Sequence, residues 1–157
     1  MLESISRFIQ HPASENLYCE KINVCGEVRE IASGLQKFVP LEQMTGRVLV
    51  MANLKPRPLA GFNSNGMVVC ASNADHTVVE LLIPEGELGE RIYLEGFEEL
   101  FPQGQLQPVL NPKKKIVERC LEHFKTDEEG YITWKGIKVR TKAGLIKAAT
   151  VRNGNVA

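Results

Sequence analysis

The run Arg47-Val48-Leu49-Val50-Met51-Ala52 is apolar at odd and even positions alike. It is too short for a stable helix, and a strand with one wet face would alternate, so the run predicts a strand buried on both faces that crosses the core. Any fold must therefore place layers on either side of it. The surrounding segments fit that demand. Residues 17–24 alternate in part, with Tyr18, Ile22 and Val24 on one face, and 28–35 can pair with them through a turn near Gly26. Residues 66–71 and 78–83 and the run Arg91-Ile92-Tyr93-Leu94 add short β-rich segments bounded by Gly, Pro, Asn or Asp. One helical turn is expected at Pro40-Leu41-Glu42-Gln43-Met44, with Pro near the first helical position. The sum is a mainly β chain, with residues 1–96 forming a five-stranded barrel of the OB type.

Residues 97–157 differ in pattern. Asn111-Pro112 has the form of a helix cap followed by Pro at the first helical position. Ile116, Val117, Cys120, Leu121 and Phe124 then make one apolar stripe, predicting a helix over 112–124. Tyr131-Ile132-Thr133-Trp134 and Ile137-Lys138-Val139-Arg140 flank Lys135-Gly136 as a tight hairpin, and 146–151 predict a last strand. The second unit is thus an α+β extension.

With 157 residues there is no room for two full-sized domains. No apolar run approaches the ~20 residues of a membrane-spanning helix, so no membrane partner is expected and the chain is placed in the cytoplasm. The cysteines Cys19, Cys25, Cys70 and Cys120 form no CxxC pair, and His11, His76 and His123 are far apart, so no metal site is indicated. Serine-hydrolase, zinc-protease, P-loop and dinucleotide motifs are all missing from the sequence. Glu98-Glu99 and Glu128-Glu129 sit among turn residues and fit a solvated surface. No catalytic residue and no cofactor follow.

Two cationic segments carry the chemistry. The first, residues 53–67, leaves one apolar strand and enters another, stiffened by Pro56 and Pro58. Lys55 and Arg57 can meet phosphates, Ser64 and the amides of Asn63 and Asn65 can bond sugar or base edges, and Phe62 can stack on an unpaired base. The alternative is an ordinary polar hairpin loop with Phe62 in the core. The second is Lys113-Lys114-Lys115 in the first turn of the expected helix, where cations oppose the helix dipole. A bound phosphate, meeting three ammonium groups and free amides, would offset that. Otherwise the lysines are solvated, with Glu118 and Glu122 as helical neighbours. Formal charge is zero, but residues 1–96 hold 8 Lys+Arg against 12 Asp+Glu and residues 97–157 hold 11 against 7. Neutrality is a cancellation and leaves polyanion binding open, with modest, salt-sensitive affinity.

Ala32-Ser33-Gly34-Leu35, Phe38-Val39-Pro40-Leu41-Glu42-Gln43-Met44, Asn53-Leu54-Lys55-Pro56, Ser64-Asn65-Gly66-Met67 and Cys70-Ala71-Ser72 together resemble the tRNA-binding domain named after endothelial monocyte-activating polypeptide II. His11-Pro12-Ala13-Ser14-Glu15-Asn16-Leu17-Tyr18 is similar to a segment of that family, and Leu110-Asn111-Pro112-Lys113-Lys114-Lys115 resembles the start of its C-terminal extension. The resemblance implies an OB-fold whose extension imitates a dimer partner, and hence a monomer as an isolated domain. It implies binding of tRNA by shape with little sequence discrimination, as an appendix of an aminoacyl-tRNA synthetase catalytic domain in cis or as a cofactor in trans. Carried across, the tRNA-contacting positions are Asn53, Lys55, Ser64 and Met67, of which Met67 can instead pack and hold the loop. The chain departs from the family pattern at Pro58 and Ala60, where a basic residue is usual, and at Arg57, where a neutral one is. It also starts close to the middle of the expected first strand, as a piece of a longer protein or a divergent N-terminus would. A cytokine-like or protein-interaction role on the same scaffold is the alternative, although Ser4-Ile5-Ser6-Arg7-Phe8-Ile9 matches the relevant pattern poorly.

Overall fold

The computed structural model describes the backbone of residues 2–10 and all of residues 14–103 and 107–157. His11, Pro12 and Ala13 of the His-Pro segment lie outside the described residues, as does Gly104 after the turn-rich stretch at Phe101.

Strand β1 (Leu2–Gln10) pairs antiparallel with β2 (Tyr18–Val24), and β2 pairs with β3 (Glu27–Ser33). On its other side β1 pairs with β4 (Gly46–Met51). A register irregularity between Ile5 and Arg7 bends β1, so Leu2 to Ile5 serve β4 while Ser4 to Gln10 follow β2. After the short hairpin strands β5 (Arg57–Leu59) and β6 (Phe62–Ser64), β7 (Met67–Val68) joins the free edge of β4. The order β3-β2-β1-β4-β7 makes a five-stranded sheet, while the expected segments at 78–83 and 91–94 contribute strands to a second sheet. The expected single turn of helix is a 3-10 turn, Leu41–Gln43, with Pro40 just before it.

β4 divides the core in two, as its unbroken apolar run requires. Val48 and Val50 face a cluster containing Tyr18, Ile22, Val24, Ile31 and Met44, while Leu49 faces the opposite way, into one containing Ala71, Leu82, Ile132, Val139 and Ile146. Each such side chain contributes about 1.5–3 kcal/mol on burial, so one strand ties two cores together.

The second cluster lies under a seven-stranded sheet. Its strands are β8 (Cys70–Ser72), β9 (Val79–Leu81), β10 (Tyr93–Leu94), β11 (Phe124–Thr126), β12 (Ile132–Trp134), β13 (Ile137–Arg140) and β14 (Asn155–Val156). Their order is β10-β13-β12-β11-β14-β8-β9. The β12–β13 hairpin forms across Lys135-Gly136 as the sequence predicts, with Trp134 opposite Ile137.

Two expectations need correction. The helix over 112–124 is broken. Asn111 does cap, its Oδ1 accepting from Lys113 N at 3.0 Å, but Pro112–Lys114 is a 3-10 turn and Lys115 is left-handed at φ 49°. The helix α1 covers only Ile116–Leu121. Phe124 is needed in β11 opposite Trp134, whose indole Nε1 donates to Cys120 O at 3.2 Å and takes up a terminal helix carbonyl. The stripe of Ile116, Val117, Cys120 and Leu121 survives, half-buried. The strand expected over 146–151 is also absent, although Ile146, Ala148 and Val151 are buried. Leu145 and Lys147 make single bridges, and the amides of Thr150 and Val151 turn to the Glu80 carboxylate at 2.9 and 3.0 Å instead of to a ladder. Partial burial raises the Glu80 pKa, but these bonds, the Thr150 hydroxyl and Arg152 outweigh it and hold the group below its ordinary value. The last strand is β14. Among the described residues no helix is long and apolar enough to cross a membrane.

Candidate nucleic-acid interface

The middle of the 53–67 segment is a β-hairpin rather than an open loop. Arg57 pairs with Ser64, Pro58 with Asn63 and Leu59 with Phe62. The turn residues Ala60 and Gly61 have φ of 48° and 82°, the pair of positive angles a two-residue hairpin turn demands, and Gly61 meets this without a Cβ penalty. Pro58 lacks an amide hydrogen yet is tolerated, because β5 has β6 as its sole strand partner.

The foot of the hairpin is locked to β3. Ser64 is buried, its Oγ accepting from Ala32 N at 2.9 Å and donating to Gly66 O at 3.1 Å. Asn65 N donates to Glu30 O at 2.9 Å, and its Nδ2 donates to Glu30 O and Asn63 O, each at 3.2 Å. These bonds bring β3 against the return strand, so the two edges of the five-stranded sheet are stitched by side chains and single amides. Gly66 permits the approach: a Cβ there would lie 2.8 Å from Ile31 Cδ1.

Arg29 completes the lock. Its Nη1 donates to Ala52 O, at one end of the segment, and lies 3.5 Å from Asn65 O, at the other, while its Nε donates to Glu27 Oε1 at 2.8 Å. Nothing in the pattern Glu27-Val28-Arg29-Glu30 marked this residue, since a cation among acids on an exposed strand is common.

The sequence-predicted residues therefore fall into groups. Lys55 and Arg57 are exposed and make no ion pair among the described residues. Phe62 is half-buried near the hairpin tip. Ser64 and Asn65 are committed to the foot, and Met67 packs on the second core opposite Met51. Asn53 is joined to the second unit: its Nδ2 donates to Pro108 O at 3.2 Å and its carbonyl accepts from Leu110 N at 2.9 Å. Lys55 is two residues from Asn53 and Lys113 three from Leu110, so chain length alone keeps the Cα atoms of Lys55 and Lys113 within ~25 Å of each other.

Lys113, Lys114 and Lys115 are exposed and unpaired among the described residues, but they precede α1 instead of opening it. Their amides are occupied, by Asn111 Oδ1, Asn111 O and Pro112 O respectively. The expected cradle of free amides does not exist, and the ammonium groups alone remain to meet an anion. No group of three or more His, Cys, Asp or Glu able to hold a metal occurs among the described residues.

An antiparallel β scaffold that holds out a stiffened cationic hairpin is a binding module. Residues 4–91 match the family described as "Putative tRNA binding domain", and the chain belongs to that family. It is 40% identical over 151 residues to the cytoplasmic methionine–tRNA ligase of Arabidopsis thaliana, covering 94% of this chain and 18% of that protein. It is 39% identical to the cytoplasmic tyrosine–tRNA ligase of Xenopus tropicalis, covering 94% and 28%, and 39% identical to the tRNA-aminoacylation cofactor arc1 of Schizosaccharomyces pombe, covering 97% and 36%. The chain thus spans about a third or less of those relatives. The crystal structure of the C-terminal domain of Plasmodium vivax p43 matches with a TM-score of 0.85 and 31% identity over 100% of this chain and 94% of that one. A methionyl-tRNA synthetase related protein from Pyrococcus horikoshii matches with a TM-score of 0.52 and 25% identity over 56% of this chain and 83% of that one.

Proposed function

We propose that this chain binds tRNA by its backbone and shape and delivers it to an aminoacyl-tRNA synthetase, to which it is appended in cis or which it joins in trans in the cytoplasm. The observation that carries the reading is the locked hairpin with Lys55 and Arg57 unpaired, tethered through Asn53 and Leu110 to Lys113–Lys115. Ammonium and guanidinium groups meet phosphates, which carry no sequence information, so discrimination among tRNAs is weak. Phe62 stacks on an exposed base, Asn53 and Asn65 offer polar edges, and Ser64 and Met67 hold the hairpin in place. The chain has no catalytic step or cofactor of its own. Residues 97–157 act as a distinct unit against the β8–β9 side of the 1–96 domain, and the isolated chain is a monomer that does not engage membranes.

The test is titration with tRNA at several salt concentrations. Lys55→Ala with Arg57→Ala should lower the slope of log affinity against log salt by about 1.4–1.8, and removal of Lys113, Lys114 and Lys115 by about 2–2.7, alike for all tRNAs. Absence of tRNA binding at low salt overturns the reading.

A further inference from the structure

In the seven-stranded sheet, β11, β12 and β13 turn one face to the core and a basic face away from it. Register places Lys125 opposite Thr133 and Thr133 opposite Lys138, so these three form one row across β11, β12 and β13, with Thr133 buried between the two lysines. At strand spacing the two lysine Cα atoms are ~10 Å apart. Tyr131, two residues before Thr133 and on the same face, bridges to Lys147. The Lys138 and Lys147 ammonium groups lie 4.3 and 5.0 Å from the centre of the Tyr131 ring, and so no more than about 9.3 Å from each other. Ile132, Val139, Ile146 and Val156 point the other way, into the core, with Phe124 and Trp134 packed on it.

Two of the carboxylates near this row are engaged elsewhere. Asp127 Oδ1 accepts from Glu129 N and Tyr131 N, and Glu95 is paired with Arg140 at 3.0 Å. Glu128 and Glu129 stand in the adjoining turn, and none of the three lysines forms an ion pair among the described residues. Lys125 reaches Asn155, a neutral partner. Two cations at one ring and a third in the same row, none in an ion pair among the described residues, are complementary to a chain of phosphates.

We propose that this face, centred on Tyr131 with Lys125, Lys138 and Lys147, is a second contact surface for the RNA phosphodiester backbone, separate from the hairpin and from Lys113–Lys115. It rests on the tRNA-binding reading above. Ammonium groups held against an aromatic face stay in place while keeping their outer hydrogens for phosphate oxygens.

The full chain carrying Lys125→Ala, Lys138→Ala and Lys147→Ala, shown folded by its urea transition, is titrated with tRNA across salt. The expected result is a slope lower by about 2–2.7 and at least tenfold weaker binding near 100 mM salt, additive with the loss from Lys55→Ala and Arg57→Ala. In wild type, bound tRNA should protect Lys138 and Lys147 from acetylation. Should the triple variant not fold, Lys125→Gln with Lys147→Gln, both at exposed positions, is measured in its place. A folded variant that keeps the wild-type slope overturns the proposal, including the case in which only its binding to poly-glutamate is lost. Failure of wild type to bind tRNA in the same titration removes the broader reading instead, so the two failures are distinguishable.

Discussion

Glu20 offers the sharpest quantitative test of the fold. It lies in the middle of β2 and is completely buried, with Oε1 accepting from the Ser33 hydroxyl and Oε2 without a partner among the described residues. Burial pushes its pKa from 4.5 to about 8, against the opposing pull of the Ser33 bond. The same burial, with the Glu20 charge added, drives the neighbouring Cys70 thiol to about 12. A carboxyl whose folded pKa is raised gives stability that is complete below the unfolded pKa of 4.5 and is lost as pH climbs through the folded value of about 8. At 1.36 kcal/mol per unit the whole span is worth up to about 5 kcal/mol, and the part falling between pH 5 and pH 7 about 2–3 kcal/mol. For a chain of this size that is roughly 5–10 °C of melting temperature. Glu20→Gln removes the titration while keeping the shape. Its new amide hydrogens find no ready acceptor, at about 1–3 kcal/mol, so absolute stability is not the readout. The readout is the difference between the urea-unfolding free energies of variant and wild type at pH 5, 6, 7 and 8, in which every other carboxylate cancels. The variant should gain about 2–3 kcal/mol on wild type between pH 5 and pH 7. Parallel profiles would refute the reasoning, because they would mean that Glu20 is charged and solvated in the folded state.

Two further perturbations probe the site and the joining of the two sheets. Arg29→Met removes the charged donor from Ala52 O and Asn65 O, freeing both feet of the hairpin, and tRNA affinity should fall about 3–10-fold, the scale of one ordinary hydrogen bond at about 1 kcal/mol. The loss should vanish in a Lys55→Ala, Arg57→Ala background; full additivity would show that Arg29 does not act through the hairpin. Gly154→Ala would set a Cβ 2.3 Å from Ser72 O, a backbone atom that cannot swing aside. It should cost about 3 kcal/mol in urea unfolding, at the upper end of ordinary overpacking, and a neutral result would contradict the close β14–β8 approach.

The parts of the fold legible in the sequence were those set by strictly local chemistry. Val48, Leu49 and Val50 announce a two-sided strand because no alternation is present to choose a face, and Lys135-Gly136 announces its turn because few residue pairs accept two positive φ angles. The break at Lys115 was not legible: Asn111, Pro112 and the stripe from Ile116 onward all agree with one long helix, and the kink arises from where Phe124 must land. The hairpin at 57–64 was hidden by Pro56 and Pro58, which argue against strands unless the edge is free. For the candidate site, Lys55, Arg57 and Lys113–Lys115 were legible as unopposed cations. The locking role of Ser64 and the clamp at Arg29 were not, because both depend on contacts more than twenty residues away.

The position of β14 carries a consequence for assembly. Ser72 and Asn155 are register partners, and β14 lies between β8 and β11. During synthesis the β8–β9 hairpin must wait with one hydrogen-bonding edge unsatisfied until the ribosome has released the residues that will cover it. β14 therefore seals the β8–β9 hairpin, and any truncation before Asn155 leaves an open edge inviting strand exchange between nascent chains.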